Sequence, residues 1–338
     1  MNKLISVIVP AYNAQATIEA TLKSIMAQTY SPLEIVVVND GSADDTEKKA
    51  RMLAGTDPRI KVVSQPNGGL SNARNSGVME ASGELVGFVD SDDLIYPDMY
   101  RQLYEAYLGV CGRYPDGTVF IQTGREEIDE NGNILPSVCS VPDKETFLTS
   151  EEFAKTLLMH KGDSSFCTRL CSRDFMMAHP FEEGVLSEDF SLQMGLTGIL
   201  SGILLIPYIG YRVVHRAGSM TRKAKADDFP PVYTAILGHA DRAEELAVCF
   251  PSLKSAARRF GLYMRMEYLL HIPVKDMQSS NKVYTDVVRY LRKHFADIVK
   301  GPYLTAKNRL YLIVLAICPK TARAVHAALM GLKREDRK

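Results

Sequence analysis

The sequence holds 338 residues, and its 40 basic and 40 acidic side chains cancel. That balance leaves no basic field for a phosphate backbone, which excludes nucleic acid as an expected partner. Six scattered cysteines without a CxxC pair read as reduced thiols, and the apolar runs at residues 4–9 and 310–318 are too short for a signal h-region or a bilayer span.

The first hundred residues alternate two periodicities. Residues 4–9 are rich in β-branched side chains and predict a buried strand, followed by a helix over 17–28 with Ile18, Leu22, Ile25 and Met26 on one face. A second strand is expected at 33–38, a helix at 45–53, a short strand at 60–64, a helix at 71–81 and a fourth strand at 85–89. Strands separated by helices of this length predict right-handed crossovers and a mainly parallel α/β sheet with helices on both faces. Beyond residue 107 the pattern loosens, with strands expected near 120–123, 204–206 and 211–214 and a helix over 151–160. From Asp228 onward only helices are expected, and Val283, Val287, Leu291, Phe295 and Ile298 form an apolar stripe that reads as core. Cys167 and Cys171, four residues apart, would share a helix face, without the second pair that a zinc site needs.

In an open parallel sheet, ligands bind beyond the carboxyl ends of the strands. Here those ends carry Pro10-Ala11-Tyr12-Asn13, Asn39-Asp40-Gly41-Ser42 and Asp90-Ser91-Asp92-Asp93. The first turn lacks the GxGxxG pattern of a dinucleotide site, which argues against a dehydrogenase. Tyr12 offers a flat face for stacking a base, or is an ordinary loop aromatic. Asp40 offers an acceptor for a base N–H, or simply forms the turn. Three carboxylates within four residues repel one another unless a cation or water screens them. The Asp90–Asp93 cluster therefore reads as a site for a hard divalent ion, Mn2+ or Mg2+, shared with substrate phosphates, or else as a solvated acidic loop. Arg74, within Asn72-Ala73-Arg74-Asn75, is placed to grip a carboxylate or phosphate through two parallel bonds, or lies on the surface.

Taken together, residues 4–13, Thr21-Leu22-Lys23-Ser24-Ile25, Gln28-Thr29-Tyr30, 34–46, 67–77 and Phe88-Val89-Asp90-Ser91-Asp92-Asp93 resemble the opening of family 2 glycosyltransferases, in order and at the usual spacing. The resemblance implies a GT-A fold, a nucleoside-diphosphate sugar donor (most often a UDP-sugar), a divalent metal and inversion at the anomeric carbon. It places Tyr12, Asp40 and Arg74 at the nucleotide base, Asp90 by the ribose or sugar and Asp92 at the metal, with Pro10 and Glu188 among the donor contacts. The family's catalytic base is usually in a later Glu-Asp pair. Ser187-Glu188-Asp189-Phe190 fits, with Asp189 as the base, although such a pair also caps a helix favourably. The segment 211–221 resembles bacterial cell-surface polysaccharide transferases and suggests His215 as a further metal or diphosphate contact, with Arg216 as phosphate support.

The expected organisation is a nucleotide-sugar and metal half at 1–105, an acceptor half carrying Asp189 at 106–226 and a helical region at 227–338. Glycan or glycolipid acceptors and a cytoplasmic location are expected. The apolar run before Lys320, Arg323, Lys333, Arg334, Arg337 and Lys338 reads as a core helix with a solvated tail or as a peripheral anchor at the inner membrane face. Two other functions use similar residues: a sugar-phosphate nucleotidyltransferase, whose Gly-rich first loop is missing here, and a non-catalytic nucleotide-sugar-binding subunit.

Overall fold

The computed structural model describes residues 2–114, 117–137, 139–216 and 231–335, so the expected boundary near 226 and the 217–221 part of the polysaccharide-transferase segment lie outside the described residues. The chain divides into two compact units, one of Met1–Ala154 with Lys161–Ser219, the other of Lys155–His160 with Met220–Lys338.

The first unit is built on one sheet. Strands β1 (Ile5–Ala11), β2 (Leu33–Asp40), β3 (Ile60–Gln65) and β4 (Leu85–Phe88) alternate with helices α1 (Ile18–Met26), α2 (Thr46–Ala54) and α3 (Leu70–Glu80). These strands pair in the order β3-β2-β1-β4, all parallel. Every residue of β1 is buried and all but one of β2, which is why both read as unbroken Ile/Val runs. Helix α3 lies close over β1 at Gly77, where an added Cβ would fall 2.3 Å from Ile8 Cγ2.

Past β4 the pairing becomes mixed. The short β5 (Leu94–Ile95) and helix α4 (Met99–Val110) lead to β6 (Val119–Asp129), β7 (Ile134–Leu135), β8 (Thr146–Thr149) and α5 (Ser150–Leu158). Then come β9 (Arg169–Ser172), α6 (Arg173–Ala178), α7 (Glu188–Gly195) and β10 (Gly202–His215). Strand β9 is antiparallel to both β4 and β6 and so joins the two halves of the sheet, while β10 runs parallel to β6 and antiparallel to β5 and β8. This is the α/β architecture of a GT-A fold, a sheet flanked by helices with a helical C-terminal region. Two expected strands at 204–206 and 211–214 are one strand, because the Pro207–Gly210 stretch is absorbed as a register shift rather than a turn. Cys167 and Cys171 do not share a helix: Cys167 is in a 3-10 turn and Cys171 in β9, and both thiols are free.

The second unit holds α8 (Val232–Cys249), α9 (Lys254–His271), α10 (Lys282–Lys293), α11 (Phe295–Lys300), α12 (Ala306–Ile317) and α13 (Pro319–Glu335). Leu269, Leu291, Ile298, Leu312 and Leu315 are fully buried at its centre. Each such side chain contributes about 1.5–3 kcal/mol by leaving water. The stripe starting at Val283 is divided between two helices, since the chain turns at His294, whose Nδ1 bonds Asp297 at 3.2 Å. Val287, Leu291 and Ile298 join the core, while Val283 and Phe295 are exposed. Among the described residues no helix is long and apolar enough to cross a membrane.

Candidate active site

The turns after β1 and β2 are stapled together. Asn13, at φ 49°, donates its backbone N–H to Ser42 Oγ at 3.0 Å, and its own Oδ1 accepts from the Ala43 N–H at 2.9 Å. Ala14 N–H donates to Thr46 Oγ1 at 2.7 Å. Pro10 is buried within β1, whereas Tyr12 is 53% exposed. Asp40, buried at the end of β2, accepts the Gly68 N–H at 2.8 Å and Gln65 Nε2 at 2.9 Å on Oδ1, and the Gly69 N–H at 2.9 Å on Oδ2. Gly69 has φ 84°, a conformation that costs glycine little and that lets consecutive amides meet one carboxylate. Of the roughly four acceptor positions of a carboxylate, about one remains for a ligand.

The three aspartates after β4 divide their tasks. Asp93 is buried: its Oδ2 accepts from Tyr211 Oη at 2.8 Å and its Oδ1 from the Val214 N–H at 2.8 Å. Burial, with the Asp90 and Asp92 charges, raises its pKa well above the ordinary carboxylate range. It latches the acidic loop to β10. Asp90 points at Arg74, and Asp92 is exposed. Desolvation of the Asp92 carboxylate and the neighbouring Asp90 charge raise its pKa. Arg216 donates to the Asp92 carbonyl oxygen, a second tie between the end of β10 and this loop.

Arg74 is the hub. It is 1% exposed, and its Nη1 donates to Glu188 Oε1 at 2.7 Å and Asp189 Oδ1 at 2.8 Å while Nη2 donates to Asp90 Oδ1 at 3.0 Å. Its guanidinium also lies 5.3 Å from the centre of the Phe181 ring. Burial opposes its charge, and the Asp189 and Asp90 carboxylates more than offset that. Glu188 and Asp189 open α7 behind Ser187, which takes the left-handed conformation at φ 61°. The Asp189 side chain is 18% exposed, enough to be reached yet largely desolvated. Burial raises its pKa to about 6; Arg74 pulls it down, and Glu188 and Asp90 push it up.

Helix α3 also grips the segment leading to α7. Asn75 exchanges two hydrogen bonds with the Phe181 backbone, both at 2.9 Å, and Asn72 Nδ2 donates to Glu183 Oε1 at 3.0 Å. His215, the last residue of β10, bonds through Nε2 to Glu127 Oε2 at 2.7 Å. Asn72 and Asn75 flank Arg74 in its motif, which was the available signal for them. Nothing in the sequence around Glu127 marks it.

A divalent ion fits the charge of this site. Asp90, Glu188 and Asp189 converge on the Arg74 guanidinium, Asp92 lies beside Asp90 and Arg216, and the carboxylates of Asp92, Asp93 and Asp189 all have raised pKa values. Among the described residues no three His, Cys, Asp or Glu side chains form a ready metal cage. Magnesium-type sites commonly use one or two carboxylates and leave other positions to substrate phosphates.

Residues 6–137 match the Glycosyl transferase family 2 model. This segment is similar to the family 2 glycosyltransferases. Consistent with that family, the chain is 46% identical over 105 residues to the uncharacterized glycosyltransferase EpsJ of Bacillus subtilis (strain 168), a match covering 31% of this chain and 30% of EpsJ. It is 43% identical over 175 residues to the putative glycosyltransferase EpsH of the same organism, covering 52% of this chain and 48% of EpsH. These matches thus span about a third to a half of the curated relatives' length. The fold is also that of S. aureus TarS 1-349, solved in complex with UDP-GlcNAc, at a TM-score of 0.59 and 18% identity over 96% of this chain and 91% of that one. All the candidate site residues described above lie in the first unit.

Proposed function

We propose that this chain is an inverting, metal-dependent glycosyltransferase that moves a sugar from a nucleoside-diphosphate sugar, a UDP-sugar by preference, to an acceptor hydroxyl in cell-surface polysaccharide or glycolipid synthesis. The observation that carries the reading is Arg74, which draws Asp90 from the nucleotide half and the Glu188-Asp189 pair from the second half to one point. The UDP-GlcNAc in the TarS structure supports a uridine donor.

In this reading residues 1–105 bind nucleotide and metal, 106–226 shape the acceptor site and 227–338 form a helical accessory region. Tyr12 stacks on the base, with Pro10 supporting that turn. Asp40 accepts one base N–H on its remaining lone pair, and Asp90 and Glu188 line the ribose and sugar. Asp189 takes the acceptor proton as the diphosphate leaves from the opposite face, since a single displacement needs one base aligned with the nucleophile. Asp92 and His215 would hold Mn2+ or Mg2+, which when bound neutralises charge on the leaving diphosphate.

The test is release of free nucleoside diphosphate from a panel of UDP-, GDP- and dTDP-sugars, with Mn2+ or with EDTA. One donor is expected to be hydrolysed slowly in a metal-dependent way. Loss of a direct ligand in Asp92→Ala is expected to exceed the about 10–100-fold effect typical of outer-shell changes. Release that ignores EDTA would sink the metal role, and pyrophosphate release from a nucleoside triphosphate would favour a nucleotidyltransferase.

A second observation bears on where the reaction occurs. On α12 the side chains of Leu310, Val314 and Ile317 are 64%, 38% and 61% exposed at helical spacing, with Lys307 and Lys320 exposed at either end. An apolar stripe flanked by cations suits an anionic membrane surface, which would place the enzyme at the cytoplasmic face, beside lipid-linked acceptors. Flotation with vesicles containing anionic lipid is expected to carry the full chain, and Leu310→Asp/Ile317→Asp to stay behind. Equal soluble fractions would remove the membrane from this account.

A further inference from the structure

Glu127 is a buried carboxylate, 4% exposed, in the interior strand β6. In the parallel pairing of β6 with β10 it lies opposite Val213, two residues before His215. Side chains two apart in a strand share a face, so Glu127 and His215 meet without distortion, at 2.7 Å between Oε2 and Nε2. An ion pair faces the carboxylate from its other side. Arg125 Nε lies 3.1 Å from Glu127 Oε1, and Arg125 Nη1 lies 3.2 Å from Asp163 Oδ1. Asp163 is in turn held by the Ser165 N–H at 3.0 Å and by Thr168 Oγ1 at 3.2 Å. Charges thus alternate along the row from Asp163 through Arg125 to Glu127, with His215 at its end.

We infer that Glu127 is a positioning residue that fixes His215 as its Nε2–H tautomer, leaving Nδ1 as the ring's lone-pair nitrogen. An ionised carboxylate accepts and cannot donate, so the imidazole proton facing it must sit on Nε2. A carboxylate behind a histidine is the arrangement by which metal-ligating imidazoles are oriented and made more basic. The consequence for the diphosphate end of the site rests on the reading of His215 as a metal or diphosphate contact; the tautomer itself does not.

Histidine-selective 15N labelling of the full chain, with long-range proton–nitrogen correlation spectra at about pH 8, above the ordinary histidine range, reads the tautomer directly. The His215 signals are identified among the seven histidines by their loss in His215→Gln. The wild type is expected to show protonated Nε2 and bare Nδ1, and Glu127→Ala a mixture of both tautomers. Glu127→Gln, which keeps shape and a hydrogen bond but can also donate, is expected to fall between them. A wild-type Nδ1–H tautomer overturns the inference even if no Glu127 variant folds, as does an unchanged population in Glu127→Ala. Titration with Mn2+ alone, followed by electron paramagnetic resonance of the free ion, gives the second reading: Glu127→Ala is expected to weaken binding by about 10–100-fold. A changed tautomer with unchanged Mn2+ affinity would uphold Glu127 as the positioning residue and remove His215 from the metal site.

Discussion

Replacing Asp189 with asparagine is expected to lower turnover by about 10²–10⁴-fold, the scale of losing a general base, while leaving nucleotide binding within a few-fold of wild type. The substitution keeps the shape of the side chain and one oxygen for Arg74 Nη1, now 2.8 Å away, so the clamp persists while basicity is lost. Diphosphate release from the active donor measures the first quantity, and calorimetry with UDP the second. Turnover within tenfold of wild type would show that another group takes the proton. The pH profile carries a further signature. Burial raises the Asp189 pKa to about 6, and the base works only when ionised, so kcat/KM is expected to fall tenfold per unit below about pH 6. Weakening the Arg74 interaction, which pulls that pKa down, is expected to move the acid limb to higher pH.

Removing the guanidinium itself has the other large effect. In Arg74→Met the carboxylates of Asp90, Glu188 and Asp189 lose the cation that all three now share. Breaking a buried ion pair by deleting one partner costs about 3–5 kcal/mol, since the orphaned charge stays desolvated. Urea unfolding at pH 7 is expected to show a loss of that size. The deficit should shrink as pH falls. An acid whose folded pKa lies above its unfolded value stabilises the fold fully below the unfolded pKa and loses that contribution as pH rises through the folded one. For Asp189 the wild-type window runs from the ordinary aspartate value of about 3.9 up to about 6, and without Arg74 its upper edge rises. A deficit at pH 5 equal to that at pH 7 would mean that the loss is one of packing. Arg74→Lys, with one nitrogen where three carboxylates converge, is expected to recover the charge but only part of the stability and activity.

The first hundred residues were legible because β1 and β2 are buried on both faces, so their Ile and Val runs stand out against the turns at 10–13 and 39–42. The second half hides its pieces. Strands β5 and β7 are two residues each, too short for any periodicity, and β10 carries a proline within it. The site residues could be picked out one by one, but not their pairing. Arg74 and Asp189 are 115 positions apart, and no local pattern shows that α3 closes on the start of α7. Asp40 shows the same limit in reverse: its place at a strand end was plain, yet the Gly68 and Gly69 amides and the Gln65 side chain that fill most of its acceptor capacity became visible only in three dimensions. Asp93 looked like one more acid of the cluster and instead ties the loop to Tyr211 and Val214.

The grip of α3 on the residues before α7 bears on how chimeras of such enzymes can be cut. A crossover near residue 105 would seem natural, since it separates the regular β/α opening from the irregular part that follows. Yet Asn75 holds the Phe181 backbone, Asn72 holds Glu183 and Arg74 holds Glu188 and Asp189. A graft taken only from beyond residue 105 therefore inherits a bracket shaped for another segment, and the eleven residues of α3 belong with the part of the chain they clasp rather than with their neighbours in sequence.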